Sequence, residues 1–210
     1  MNQDMKKRMI SDTGYEVKQA FRINGKEILL AENPRADDGQ FYLVCDYTEK
    51  GIIAEYAQAQ VSDSYVEIVQ VFSDRIAKEA MTIQVELDSL GLPSERITAD
   101  ECHPHSYDQS IVGQVVAIKE SVLSPEYRRG DVQLVFVTGG NGSQANARGS
   151  AVFCYHLNNG EDTRFERRDV LGVVKELPDW AKARLAAIQA DRAAVQNRKA
   201  HTPKGRDNAR

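Results

Sequence analysis

Between Tyr65 and Leu90 apolar residues recur at steps of three and four: Tyr65, Ile68, Val69, Phe72, Ile76, Ala80, Ile83 and Leu87. That spacing puts them on one face of a helix about seven turns long. Ser64 with Glu67 fits a capping box at its start, and Gly91 with Pro93 stops it. Before this helix the ordered runs read as strands, with Pro34–Gly39 a polar loop between them. Residues 15–23 and 26–31 are β-type runs joined by Asn24-Gly25, a pair favoured in type I′ hairpin turns because both central positions need positive φ. Residues 41–47 and 52–57 read as a third and a fourth strand. So long an apolar stripe has to be buried, and the sheet beside it in sequence is the surface at hand. An N-terminal antiparallel ββββα module is therefore expected over 15–91, after a flexible leader at 1–14.

Residues 92–110 are polar and read as a linker. Beyond them, 113–119, 132–137, 151–155, 163–168 and 170–175 are short strand-like runs with turn residues between them. They predict a second, mostly antiparallel, β-barrel-like module. Residues 124–130, which carry Tyr127, Arg128 and Arg129, read as a turn or short helix. Asp179 is placed to cap a closing helix whose apolar side is Trp180, Leu185, Ile188 and Val195. The expected fold class is α+β: a leader at 1–14, the ββββα module at 15–91, a linker at 92–110, a β-rich module with a C-terminal helix at 111–196, and a disordered basic tail at 197–210.

Composition narrows the function classes. With 41% hydrophobic and 28% charged residues the chain has enough apolar material for packed cores. No apolar run is long enough to span a membrane, and residues 1–8 carry charges without the apolar core of a secretory signal. Three widely spaced cysteines, Cys45, Cys102 and Cys154, read as reduced thiols, so a cytoplasmic location is expected. The net charge of −4 is uneven. Residues 1–92 hold ten basic and sixteen acidic side chains, whereas 182–210 hold eight and two. An acidic body disfavours broad duplex binding and suits a basic protein surface.

The stretch with possible chemistry is residues 139–149, Gly139-Gly140-Asn141-Gly142-Ser143-Gln144-Ala145-Asn146-Ala147-Arg148-Gly149. Two readings stand. Free amides among Gly140, Asn141, Gly142 and Asn146 can form an anion-binding nest, with Arg148 adding a bidentate contact. Alternatively the stretch is a hairpin connection that uses Gly and Asn only for their backbone angles, and this is the preferred reading of the loop itself. Arg164, Arg167 and Arg168 lie close by in sequence, and Arg128 and Arg129 are candidates to join them in an anion or RNA-backbone patch. Interleaved Glu161, Asp162, Glu166 and Asp169 favour a self-compensated solvent face there. Cys102-His103-Pro104-His105 has metal-ligand residue types at poor spacing, and no metal is assigned. No nucleophile elbow is present, so no catalytic residue and no cofactor is assigned.

Two resemblances add to this. Residues 112–118, Leu123-Ser124-Pro125-Glu126-Tyr127-Arg128-Arg129, the Gly-rich loop through Phe153, 163–172 and Leu177-Pro178-Asp179-Trp180-Ala181 resemble a family of small accessory proteins carried by conjugative and other bacterial mobile elements. Tyr15-Glu16-Val17-Lys18, Asn24-Gly25-Lys26-Glu27 and Ser62-Asp63-Ser64-Tyr65-Val66-Glu67 resemble a module of mobile-element proteins, some of which inhibit type II CRISPR effectors. The resemblance implies an anti-CRISPR, counter-defence role: a protein that binds a host type II effector, with or without its guide RNA, and blocks its activity or guide loading. The alternatives are an RNA-directed nuclease or phosphate-binding enzyme using the Gly-rich loop, and a nucleic-acid-binding accessory factor using the basic tail.

Overall fold

The structure is a computed structural model that describes residues 8–51 and 53–201, apart from the side chains of Lys50 and 195–201. The fold class is α+β. The chain divides into two compact units, Met1–Ser89 and Leu90–Arg210.

In the first unit, β1 (Glu16–Ile23), β2 (Lys26–Glu32), β3 (Tyr42–Lys50) and β4 (Ile53–Ser62) form an antiparallel meander in the order β1-β2-β3-β4. Asn24 and Gly25 turn the first hairpin with φ of 53° and 71°, the two positive values a type I′ turn requires. Helix α1 (Tyr65–Leu90) follows. The Ser64 hydroxyl accepts from the Glu67 amide, as a cap should, but the Glu67 carboxylate reaches back to the hydroxyl of Ser62 (2.7 Å). Gly91, at φ +58°, ends the helix.

Pleating gives this sheet two buried faces. One carries Lys26, Ile28, Leu30, Tyr42, Val44 and Asp46 and meets α1, through the Tyr42–Tyr65 ring contact and the Arg75–Asp46 ion pair. The other carries Leu29, Ala31, Leu43 and Cys45, packed with Tyr15 and Ile10. Residues 8–14, expected in a flexible leader, close this second face. Met9 bridges to Glu16, the Val17 amide donates to the Arg8 carbonyl, and Ile10 is buried. A sheet with apolar side chains on both faces needs a second cover, and this segment supplies it.

The second unit holds β5 (Cys102–Pro104), β6 (Val115–Ile118), α2 (Gly130–Gln133), β7 (Leu134–Gly139), β8 (Ala151–His156), β9 (Asp162–Glu166), β10 (Val170–Val174) and α3 (Asp179–His201). The strands form one antiparallel sheet in the order β5-β10-β6-β7-β8-β9. Two expectations are corrected. The 92–110 stretch is not simply a linker, because Cys102–Pro104 pairs with β10 as an edge strand. Residues 197–201, placed in the disordered tail, continue α3, while 202–210 lie outside the described residues. Trp180, Leu185 and Ile188 of α3 pack on the face that carries Val115, Ala117, Leu134 and Tyr155; the Val195 side chain lies outside the description. The opposite face buries Val116, Ile118, Val135, Val137, Val152 and Val170 beneath Ile111, Leu123 and Tyr127. Among the described residues no helix is long and apolar enough to cross a membrane.

Candidate functional site

The Gly-rich connection runs from the end of β7 to the start of β8, and its glycines are there for want of space. Gly140 adopts φ +107° and a Cβ on it would stand 2.3 Å from the Ala151 carbonyl oxygen. A Cβ on Gly142 would stand 2.3 Å from the Ser150 carbonyl carbon. Gly149 is equally tight, against the Asn141 side chain. Asn146 is in the left-handed region, with φ 52°.

These angles turn the loop's amides inward. The Gly142 amide donates to the Ala151 carbonyl (2.7 Å), the Ser143 amide to the Gly140 carbonyl (3.2 Å) and the Asn146 amide to the Tyr107 carbonyl (2.8 Å). The Asn141 side-chain oxygen accepts from the Ala151 amide (3.1 Å). Ser143 is buried, and its hydroxyl donates to the Gly140 carbonyl (2.7 Å). A nest requires free, converging amides; those of Gly142, Ser143 and Asn146 already have protein acceptors.

Arg167 holds the loop from below. It follows β9 in a 3-10 turn (Arg167–Asp169) and is only 2% exposed, so it is not the solvent-facing residue expected from the mixed charge run. Its Nη1 donates to the carbonyls of Gly142 (3.5 Å) and Ser143 (3.4 Å), and its Nη2 to those of Ser106 (2.5 Å) and Gln109 (2.9 Å). Its guanidinium lies 5.7 Å from the Tyr107 ring centre. The His105 ring nitrogen Nε2 donates to the Arg167 carbonyl (3.1 Å). Burial, followed by the charge of Arg167, holds the His105 pKa below the usual imidazole range. One guanidinium thus joins the turn after β5 to the β7–β8 loop.

The other arginines do not join it. Arg128 donates to the Leu123 carbonyl (3.2 Å). Arg129 pairs with buried Asp131 (2.9 Å) and donates to the Leu92 carbonyl (3.3 Å). Both precede the start of β7, whereas the Gly-rich loop follows its end. The six residues of that strand separate the two places by roughly 20 Å. Tyr127 packs against the core cluster under the sheet. Arg148, Arg164 and Arg168 are exposed, with Arg168 paired to Glu166 (2.7 Å). The expected patch therefore divides into three inward arginines at two ends of a strand and three outward ones.

Ser106, Tyr107 and Gln109, in the presumed linker, are not anticipated from sequence; His105 enters there only as a metal-ligand type, and Ser143 lies in the Gly-rich stretch but not among its candidate binding residues. Nothing periodic marks them, because most of them contribute main-chain carbonyls, and every residue type carries one. Among the described residues no group of three or more His, Cys, Asp or Glu is placed to hold a metal ion. The three cysteines are buried and free, and burial raises the thiols of Cys45 and Cys154 to about 11 and about 12, far from thiolate reactivity at neutral pH. Compared with family models, curated proteins and solved structures, the chain has no match.

Proposed function

We propose that this chain is an interaction protein of a mobile element that docks on a host type II RNA-guided effector nuclease and blocks its activity or its guide loading. The observation that carries the reading is the outward face of α1. At about 100° per residue, Val66, Ala77, Met81 and Val85 fall within about 100° of the helix circumference, opposite Ile68, Ile76 and Ile83. Val66, Met81 and Val85 are 67%, 69% and 68% exposed. Ile68 and Ile83 already anchor the inner face. Exposed apolar side chains interleaved with Gln70, Asp74, Gln84 and Asp88 on the outer side offer a mixed contact surface. Asp74 and Asp88 lie on the same outer side, and α1 has five acidic residues against two basic ones. Apolar side chains interspersed with acidic ones complement the basic surfaces with which nucleases hold nucleic acid. The resemblance of residues 15–18, 24–27 and 62–67 to modules of type II inhibitors supports the same partner. The phosphate-holding enzyme reading draws no support from the Gly-rich loop, whose inward amides are engaged by the protein.

The test is capture of a purified, cleavage-inactive type II effector, with and without guide RNA, by the full chain and by the double variant Met81→Glu/Val85→Glu. The reading expects capture by the wild type and at least a tenfold loss in the double variant, with melting unchanged because both side chains are exposed. Capture that survives the double substitution removes α1 as the docking face, and no capture by any of several effectors removes the partner class.

A further inference from the structure

We infer that the small cavity beside Arg167 is a binding site for a monovalent anion of halide or small-carboxylate size. The inference rests on the second unit alone and is independent of the α1 surface. Its starting point is an imbalance. Arg167 is a buried cation whose hydrogen-bond acceptors are four neutral carbonyls, those of Gly142, Ser143, Ser106 and Gln109. Carbonyl dipoles solvate a guanidinium in part but carry no net charge, and a buried charge without a counter-charge is costly. Tyr107 is the one ionisable group that offsets the burial of this guanidinium, so among the described residues no carboxylate answers it. One guanidinium N–H is also left over: Nε is buried and has no hydrogen-bond partner among the described residues.

The cavity that Arg167 helps to line has the chemistry to supply what is missing. Its polar wall is His103, His105, Ser106, Gln109, Gln114 and Arg167, with no acidic side chain anywhere in the lining. A guanidinium, the His103 imidazole, two amides and a hydroxyl are able to donate, while the His105 N–H is already given to the Arg167 carbonyl. Its volume is about 70 Å³. A cavity needs about 10–15 Å³ of such space to hold one water, so this one suits a chloride or a carboxylate of a few heavy atoms. Such an anion supplies one negative charge beside the guanidinium. Because Arg167 holds the carbonyls of Gly142 and Ser143, occupancy of the cavity also tightens the Gly-rich loop.

The experiment uses the full chain and follows the Arg167 Nε–H resonance together with amide exchange at residues 142–146. Sodium chloride, sodium formate and sodium sulfate are titrated at matched ionic strength. Chloride or formate is expected to move the Nε–H resonance saturably and to slow loop exchange severalfold, whereas sulfate does neither. A response to chloride alone assigns a halide site, a response to formate alone assigns a carboxylate site, and a response to both assigns a general monoanion site. Val173→Phe, on a half-buried wall residue, fills the cavity and is expected to abolish the response while the Arg167 hydrogen bonds to the loop carbonyls remain. Equal, non-saturating shifts in all three salts overturn the inference, as does a saturable response that survives Val173→Phe.

Discussion

Asp46 in the first unit and Arg167 in the second are buried charges held in opposite ways. In the first, Asp46 is 6% exposed and meets two cations, Lys26 at 2.7 Å and Arg75 at 3.2 Å, while Lys26 also meets Glu79 at 2.8 Å. Two carboxylates and two cations from β2, β3 and α1 form a closed network in which each charge has an opposite neighbour. In the second, Arg167 is buried just as deeply and faces only carbonyls. The difference teaches what each charge is for. A balanced network between side chains ties one element to another, here a helix to a sheet. A lone guanidinium amid carbonyls ties backbone segments without regular hydrogen bonding of their own, and it leaves a net charge behind.

The comparison is broken most severely at the loop. Gly142→Val forces a branched side chain to within 2.3 Å of the Ser150 backbone. It should therefore displace the carbonyls that Arg167 holds and destabilise the second unit by about 3–5 kcal/mol. Residue-resolved hydrogen exchange should show the loss in 90–194 and not in β1–β4. Protection left intact in β7 and β8 would mean that the loop is an appendage rather than part of the unit's packing.

A smaller effect is expected in the first unit. Asp46→Asn keeps the shape but leaves Lys26 and Arg75 without their shared partner. Both cations are about one-fifth exposed and partly solvated, so the expected loss is about 2 kcal/mol rather than the larger value of a fully buried pair. Urea titration of the variant measures it. A neutral result would mean that apolar contacts such as Ile68 hold α1 without help from the network.

The smallest effect separates the units by pH. His105 and His156 both have pKa values held below the usual imidazole range, by burial in each case, and for His105 also by Arg167. Unfolded, they take up protons near pH 6.5; folded, they do so only at lower pH. Stability that is full above about pH 6.5 is therefore lost as the pH falls through the window below it, by at most about 1.4 kcal/mol per pH unit for each histidine. In the first unit Glu79 is held below the usual carboxylate range, first by the Asn24 side chain and then by Lys26. Its contribution is present above about pH 4.5 and is lost only under more acidic conditions. Exchange rates between pH 7 and 5 should thus rise in the second unit before the first, and His156→Gln should flatten the second unit's response. Parallel acid profiles would erase the distinction.

Most of the secondary structure was legible in the sequence. The Asn24-Gly25 turn, the stripe from Tyr65 to Leu87 and the stop at Gly91 act through backbone angles and period over a few residues, and α1 and the first hairpin stand where those signals put them. The edge strand at Cys102–Pro104 was not legible, because three residues are too few to show an alternation and its partner β10 lies some seventy residues on. The docking of residues 8–14 was hidden for a related reason: Ile10 is a lone apolar residue, and only the uncovered face of the sheet gives it a place.

The Gly-rich loop shows where local reading ends. Its composition by itself determined that the chain turns tightly between two strands, since positive φ and close backbone approach are properties of single residues. Which way the amides and carbonyls face was decided by the tertiary structure. The two carbonyls that Arg167 Nη2 holds come from residues 61 and 58 positions away, and those on Nη1 from 25 and 24. No local pattern ranks Arg167 above Arg164 or Arg168 for that position. The strand–turn geometry after β9 aims one of the three inward, and an arginine aimed inward is buried only if carbonyls distant in sequence converge on it.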